Sequence, residues 1–260
     1  MKNKLIKLLI ASEKRYKIIL NLSGNPKSLS ELSKIINVKP SNLLPHIRKL
    51  ECEGLIESKN GKYLLTESGK LVKELFLGVI FGMNIIEKYK DFWNSHDISS
   101  IPNSLLRRIY ELGECKVVKN SSEDIYELHE EFIRNIGLSS KIYGISSVYH
   151  PEYPLTFLKL AKTGKDINLI LTESVFDKVK KKNPKELKEY LELDNAKMYV
   201  VEDAKLAMVV SDKFLYLSLY FKNGVYDVSE FLISYDESAL MWGKELFDYY
   251  LNKSKKIDKI

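Results

Sequence analysis

The chain is short of the residues from which most compact catalytic and metal centres are built. Of 260 residues only two are cysteines and four are histidines. Cys52 and Cys115 stand far apart with no metal-ligand spacing, which argues against a zinc module or a disulfide framework and for reduced thiols in a cytoplasmic protein. His96, His129 and His150 are scattered, and no nucleophile–base pair accompanies them. Gly78-Val79-Ile80-Phe81-Gly82 is too sparse for a phosphate-binding loop. Glu202-Asp203 offers two acids, but neighbours on a strand point to opposite faces. No catalytic residue, cofactor or metal is therefore expected. Long apolar runs are also missing. Leu71 to Ile86 contains Lys73 and Glu74 and is too short to span a bilayer. The apolar run in Met1 to Ile10 meets Glu13, Lys14 and Arg15 with no small-residue cleavage site, so neither signal peptide nor membrane anchor is expected.

One further scarcity is local. Residues 1–66 contain no aspartate and five glutamates against 13 Lys+Arg, a balance of +8, whereas the remainder carries 28 basic and 30 acidic residues, a balance of −2. The basic excess thus lies wholly in the first quarter. That is the footprint of a small phosphate-neutralising module joined to a larger one that is not.

The hydrophobic pattern agrees. Leu5, Ile6, Leu8, Leu9, Ile18, Ile19 and Leu22 predict a helix over about 4–22, stopped by Ser23-Gly24-Asn25-Pro26. Ser28-Leu29-Ser30-Glu31 reads as a capping box opening a second helix, with Leu29, Leu32, Ile35 and Ile36 on one side. Val38-Lys39-Pro40 is a tight connection to a third helix, which ends at Glu53-Gly54 and buries Leu43, Leu44, Ile47 and Leu50. Two short strands then flank Asn60-Gly61, a strong hairpin signal. Helix, helix, tight turn, helix and hairpin make a winged helix-turn-helix, a module that reads double-stranded DNA.

With the buried stripe removed, the third helix offers Lys39, Ser41, Asn42, His46, Arg48 and Lys49 to base edges and phosphates. Lys59, Asn60 and Lys62 lie at the wing tip, and Lys27 and Ser28 at the start of the second helix are placed to meet a phosphate. Pro45 disturbs this scheme. A proline inside a helix removes a backbone bond and clashes with the preceding turn, so the regular helix is expected to begin near Leu44, after a distorted lead-in.

Residues 67–91 read as one long linker or dimerisation helix. Beyond it, helices alternate with short apolar strands, among them Lys141–Val148, Ile167–Thr172, Lys197–Val201, Leu206–Ser211 and Phe214–Leu219. A helix is expected near 122–136, a last one from Glu237 to about Lys253, and a frayed charged tail over 253–260. The expected architecture is α+β with two domains: residues 1–66, a winged helix-turn-helix, and residues 92–253, an α/β domain acting as sensor or effector.

Particular segments carry a family resemblance. Leu43-Leu44-Pro45-His46-Ile47-Arg48-Lys49-Leu50-Glu51 with Gly54-Leu55-Ile56 resembles archaeal ArsR-related regulators. Phe92-Trp93, His96-Asp97, Gly144 to Tyr153, Glu202-Asp203, Tyr226-Asp227, Leu232-Ile233-Ser234 and Trp242-Gly243 are similar to the domain of the Fil-type methanogenesis regulatory protein family. The resemblance implies an archaeal transcription regulator and carries no ligand with it. At fold level the second domain also resembles the phospholipase-D-like domains of sugar-responsive archaeal regulators. Asp203-Ala204-Lys205 stands there like a decayed His-x-Lys motif, unable to run phosphodiester chemistry but with Lys205 available to an anion.

The leading expectation is a cytoplasmic, homodimeric DNA-binding regulator. Its second domain would sense a small-molecule or anionic ligand, or a partner, at Trp93, His96, Tyr149, His150, Tyr153, Asp203 and Lys205. The alternative is a phosphodiesterase or nuclease with a DNA-targeting module, which would need an intact His-x-Lys or a metal cluster. A third reading is a structural protein that compacts DNA without sequence choice.

Overall fold

The computed structural model describes residues 4–22, 24–120 and 130–259. They fall into two compact units, Met1–Phe81 and Gly82–Ile260. The division falls within the long helix rather than at either of its ends.

The first unit runs α1 (Lys4–Ile10), α2 (Glu13–Asn21), α3 (Leu29–Ile36), α4 (Pro40–Cys52), β1 (Ile56–Lys59), β2 (Lys62–Leu65) and the start of α5 (Glu67–Lys88). The expected single helix over 4–22 is two helices. Ser12 takes an extended conformation (φ −161°, ψ 112°) as N-cap of α2, and Glu13 follows in its first turn, where a carboxylate suits the positive end of the helix. Leu9, Ile18, Leu32, Leu43, Ile47, Leu50 and Leu55 form the buried core, flanked by Val72 and Phe76 of α5. Ile35, expected on the inner side of α3, is 50% exposed.

The hairpin forms where Asn60-Gly61 predicts it. Both residues have positive φ (51° and 72°), the pair of values that a two-residue turn between twisted strands requires. Gly69 locks α5 onto the hairpin base, because an added Cβ there would overlap the Leu55 carbonyl oxygen. The Thr66 hydroxyl donates to the Gly54 carbonyl at 2.6 Å and accepts the Gly69 N–H at 3.0 Å.

The second unit starts in α5 and continues with α6 (Lys90–Ser95), β3 (His96–Asp97), α7 (Asn103–Leu106), a 3-10 turn (Ile109–Leu112) and β4 (Lys116–Lys119). Next come α8 (Glu130–Leu138), β5 (Lys141–Ser146), α9 (Tyr153–Lys162), β6 (Asp166–Thr172), α10 (Glu173–Lys182) and α11 (Pro184–Leu191). The chain closes with β7 (Ala196–Val201), β8 (Leu206–Ser211), β9 (Leu215–Phe221), β10 (Glu230–Ser234), α12 (Glu237–Leu251) and β11 (Lys255–Ile257). The early part of the helix expected near 122–136 lies outside the described residues.

Nine strands form one mixed sheet in the order β11-β7-β6-β5-β8-β9-β10-β4, with β3 attached to β9. Strands β5, β6 and β7 run parallel, and the other pairings are antiparallel. Alternate residues of each strand enter two cores, one on each face. Leu206, Met208 and Val210 of β8 pack with Trp242 and Leu246 of α12, while Val209 packs on the opposite face with Phe132, Phe157 and Val179. Gly243 lets α12 approach closely, since a Cβ there would lie 2.6 Å from Leu215 Cδ1. The expected frayed tail is a correction. Lys255–Ile257 pairs antiparallel with Val200, Tyr199 and Met198 and so covers the open edge of β7.

Candidate functional site

The first candidate surface lies on α4 and the hairpin. Helix α4 buries Leu43, Ile47 and Leu50, while Ser41, Asn42, Arg48 and Lys49 are exposed. It runs unbroken from Pro40, so the expected late start is wrong. Pro40 occupies the first helical turn, where a missing N–H is harmless. Pro45 lies on the exposed side; the helical bond to Ser41 that its missing N–H would form is lost where solvent can replace it.

Lys39 precedes α4 and is exposed, as are Lys59, Asn60 and Lys62 at the hairpin tip. Lys59 is paired with Glu57 at 3.2 Å on the surface, a weak, screened interaction. Two expected contact residues are turned to other work. Ser28 is committed to its cap: its hydroxyl accepts the Glu31 N–H at 3.3 Å and donates to Glu31 Oε2 at 2.8 Å. His46 is half-buried, with Nδ1 3.3 Å from Ser12 Oγ, so it faces the start of α2 rather than outwards. Burial, then the charges of Lys14, Arg15 and Lys49, hold its pKa below the usual histidine value. Lys27, also half-buried, has its backbone bridged to Tyr63.

The second candidate is a cleft of about 560 Å³ in the sheet unit, lined by Phe132, Tyr149, His150, Tyr153, Tyr216 and Tyr226 among others. It opens beyond the carboxyl end of β5, the usual place for a ligand in a sheet with parallel strands. A narrow apolar recess continues inward past Phe157, Leu171 and Val179. The walls are aromatic. Tyr153 packs on His150 (4.9 Å between ring centroids) and on Phe157 (5.8 Å), and Tyr216 on Phe132 (5.0 Å) and Phe231 (4.5 Å). The Tyr149 hydroxyl donates to Asn183 Oδ1 at 2.9 Å. Burial raises the Tyr153 and Tyr216 hydroxyls well above the ordinary tyrosine value and pushes Tyr226 up to about 12. All three are therefore neutral donors at physiological pH. Glu152, Asp227 and Glu230 bring carboxylates to the lining, and among the described residues no lysine or arginine lines it.

Of the seven residues expected to form a ligand site, Tyr149, His150 and Tyr153 come together here and four do not line it. Trp93 donates through Nε1 to the Ile85 carbonyl at 3.3 Å and packs edge-on to Phe92. His96 is buried behind the cleft, against Asp227. Asp203 and Lys205 are exposed between β7 and β8, where the Lys205 backbone N–H donates to Ser100 Oγ at 3.0 Å. Glu202-Asp203 lies in that connection and not on a strand. Tyr216, Tyr226 and Glu230 were missed, because they come from strands and a turn distant in sequence.

The pattern of the N-terminal domain of methanogenesis regulatory protein FilR1 matches residues 3–83, and that of its middle domain matches residues 125–253. The chain belongs to the Fil-type methanogenesis regulatory protein family. A FilR1 from Methanothrix harundinacea (strain 6Ac) is 31% identical over 98% of this chain, which spans 58% of that relative's length. Among solved structures, the archaeal chromatin protein TrmBL2 aligns over 99% of this chain and 100% of its own, at 16% identity and a TM-score of 0.46. Nuc of Salmonella typhimurium, a phospholipase D family member, aligns over 56% of this chain and 100% of its own, at 11% identity and a TM-score of 0.43. Both likenesses are too distant to define a shared fold. Among the described residues no helix is long and apolar enough to cross a membrane.

Proposed function

We propose that this Fil-type chain is a cytoplasmic DNA-binding transcription regulator that contacts duplex DNA through α4 and the hairpin. The observation that carries the reading is the outer face of α4. Ser41, Asn42, Arg48 and Lys49 stand exposed over a helix pinned by Leu43, Ile47 and Leu50, beside a wing bearing Lys59, Asn60 and Lys62. Asparagine and arginine pair with adenine and guanine edges, and the wing lysines suit phosphates.

The sheet unit is the sensing part in this reading, with the aromatic cleft as its ligand site. Carboxylates in the lining, and no lysine or arginine there among the described residues, favour an uncharged or cationic molecule over the anion that Lys205 suggested. Helix α5 is the coupling element, since it gives Val72 and Phe76 to one core and Ile85 to the other. A ligand that prefers one setting of that helix biases DNA affinity by that preference. Leu71, Leu75 and Val79 recur every four residues on α5 and are 69%, 75% and 51% exposed. Such a stripe suits the same helix of a second copy of this chain.

Selection from a random duplex library with the full chain tests the proposal. A homodimeric reader enriches a two-fold symmetric motif with half-sites about one helical turn, roughly 10 base pairs, or a multiple of it apart. Retention of duplexes without any enriched motif would favour the non-specific compacting protein instead.

A further inference from the structure

His96 and Asp227 lie 131 residues apart in sequence and pair just behind the wall of the cleft, where Glu230 approaches them. One ligating atom from each of the three lies within 4.8 Å of the other two. His96 and Asp227 are buried, and Glu230 is half-buried.

The hydrogen bonding of His96 is informative. Its Nδ1 lies 2.7 Å from the Phe92 carbonyl oxygen. A carbonyl only accepts, so Nδ1 carries a proton. Nε2 then faces Asp227 Oδ2, a second acceptor, at 3.0 Å. Two lone pairs facing each other away from water are unfavourable, so a proton, carried by the ring or by the carboxyl, or a metal ion lies between them. The surroundings favour the metal. Even a protonated ring leaves the trio with net negative charge, because Glu230 adds a second carboxylate. Glu230 is paired with Lys119 Nζ at 3.7 Å, but through a 79% exposed side chain whose charge solvent screens.

Two of the donors are also held from behind, as metal ligands are. His96 is fixed by the Phe92 carbonyl and sandwiched between the Phe92 and Phe221 rings, with centroids at 4.3 and 4.9 Å. Asp227 Oδ1 accepts the Ser229 N–H at 2.7 Å and its hydroxyl at 2.5 Å, leaving Oδ2 for His96. Asp227 and Glu230 line the cleft, which supplies an entry path and room for a water or ligand.

We propose that His96 Nε2, Asp227 Oδ2 and the Glu230 carboxylate bind one divalent first-row transition ion, such as zinc or cobalt, with its remaining positions open to the cleft. One imidazole and two carboxylates suit such an ion. A tetrahedral ion with bonds of roughly 2.0–2.2 Å sets its ligand atoms about 3.3–3.6 Å apart, so the half-buried Glu230 carboxylate, now within 4.8 Å of the other two donors, closes in on them when the ion binds. The site adjoins the proposed ligand cleft but does not depend on it, nor on DNA binding.

The test uses the full chain, stripped with a chelator, desalted and titrated with Co²⁺. Visible absorption and equilibrium dialysis with elemental analysis provide the readouts. One equivalent of cobalt should bind, with d–d bands that one equivalent of Zn²⁺ abolishes. Glu230→Gln changes a half-buried side chain and should fold as wild type does, checked by circular dichroism, while weakening binding at least tenfold. His96→Gln should remove the bands. Absence of stoichiometric metal in the wild-type chain, or wild-type affinity in Glu230→Gln, would overturn the proposal and leave His96 and Asp227 as a hydrogen-bonded pair.

Discussion

The backbones of Lys27 and Tyr63 are paired in both directions, with the Lys27 N–H on the Tyr63 carbonyl at 2.9 Å and the Tyr63 N–H on the Lys27 carbonyl at 2.8 Å. The residue before the Ser28 cap is thereby fastened to the second strand of the wing. Weakening the cap should therefore disturb the hairpin as well as α3. Ser28→Ala is expected to destabilise the first unit by about 1 kcal/mol and to shift the hairpin amides in an NMR spectrum. The effect has a pH dependence. The Ser28 N–H and hydroxyl hold Glu31 below the usual carboxylate range, so the stabilisation is full above the unfolded value and fades as pH falls through the lowered one. The stability gap between wild type and Ser28→Ala should narrow below about pH 4.

Pro45 sits inside α4 and is exposed, and an interior proline costs a helix about 3 kcal/mol relative to alanine. Pro45→Ala restores the helical bond to Ser41 and should raise the melting temperature of the first unit. An unchanged or lower melting temperature in calorimetry would mean that the helix is strained elsewhere.

Asn42 and Arg48 are the residues of α4 best suited to bidentate base contacts. Replacing either with alanine should relax the selected motif at one position per half-site, at about 1–3 kcal/mol for the matched base. Affinity for random duplex should change little. Repeating the duplex selection with each variant measures this directly.

The two thiols should separate by reactivity. Cys52 is exposed and Cys115 buried, and burial pushes the Cys115 thiol up to about 11. With a disulfide reagent at pH 8, one thiol should react promptly and the second only after denaturation. Two fast thiols would mean that the core around Leu112 and Trp242 opens readily.

The sequence disclosed what is encoded locally. The capping box at Ser28–Glu31 and the Asn60-Gly61 turn each need only neighbours within four residues, and both stand where the pattern puts them. Tyr149, His150 and Tyr153 were legible as a pocket because they are close in sequence. What tertiary packing decides was not legible. Ile35 has core spacing yet faces solvent, and the charged tail becomes a strand because β7 offers it an edge. His96 was expected in the ligand pocket, but it is buried outside the lining, held by Asp227 from the other end of the domain. Pro45 misled in the opposite direction, since local rules forbid what an exposed helix face tolerates.

The most direct test of the central claim is the salt dependence of binding to a selected duplex, measured by fluorescence anisotropy for wild type and for the Lys59→Ala, Lys62→Ala double variant. If the wing meets phosphates, the double variant binds more weakly on every sequence, and its slope of log K against log salt is shallower by about 2. Equal affinities and parallel salt lines for the two proteins would contradict the account.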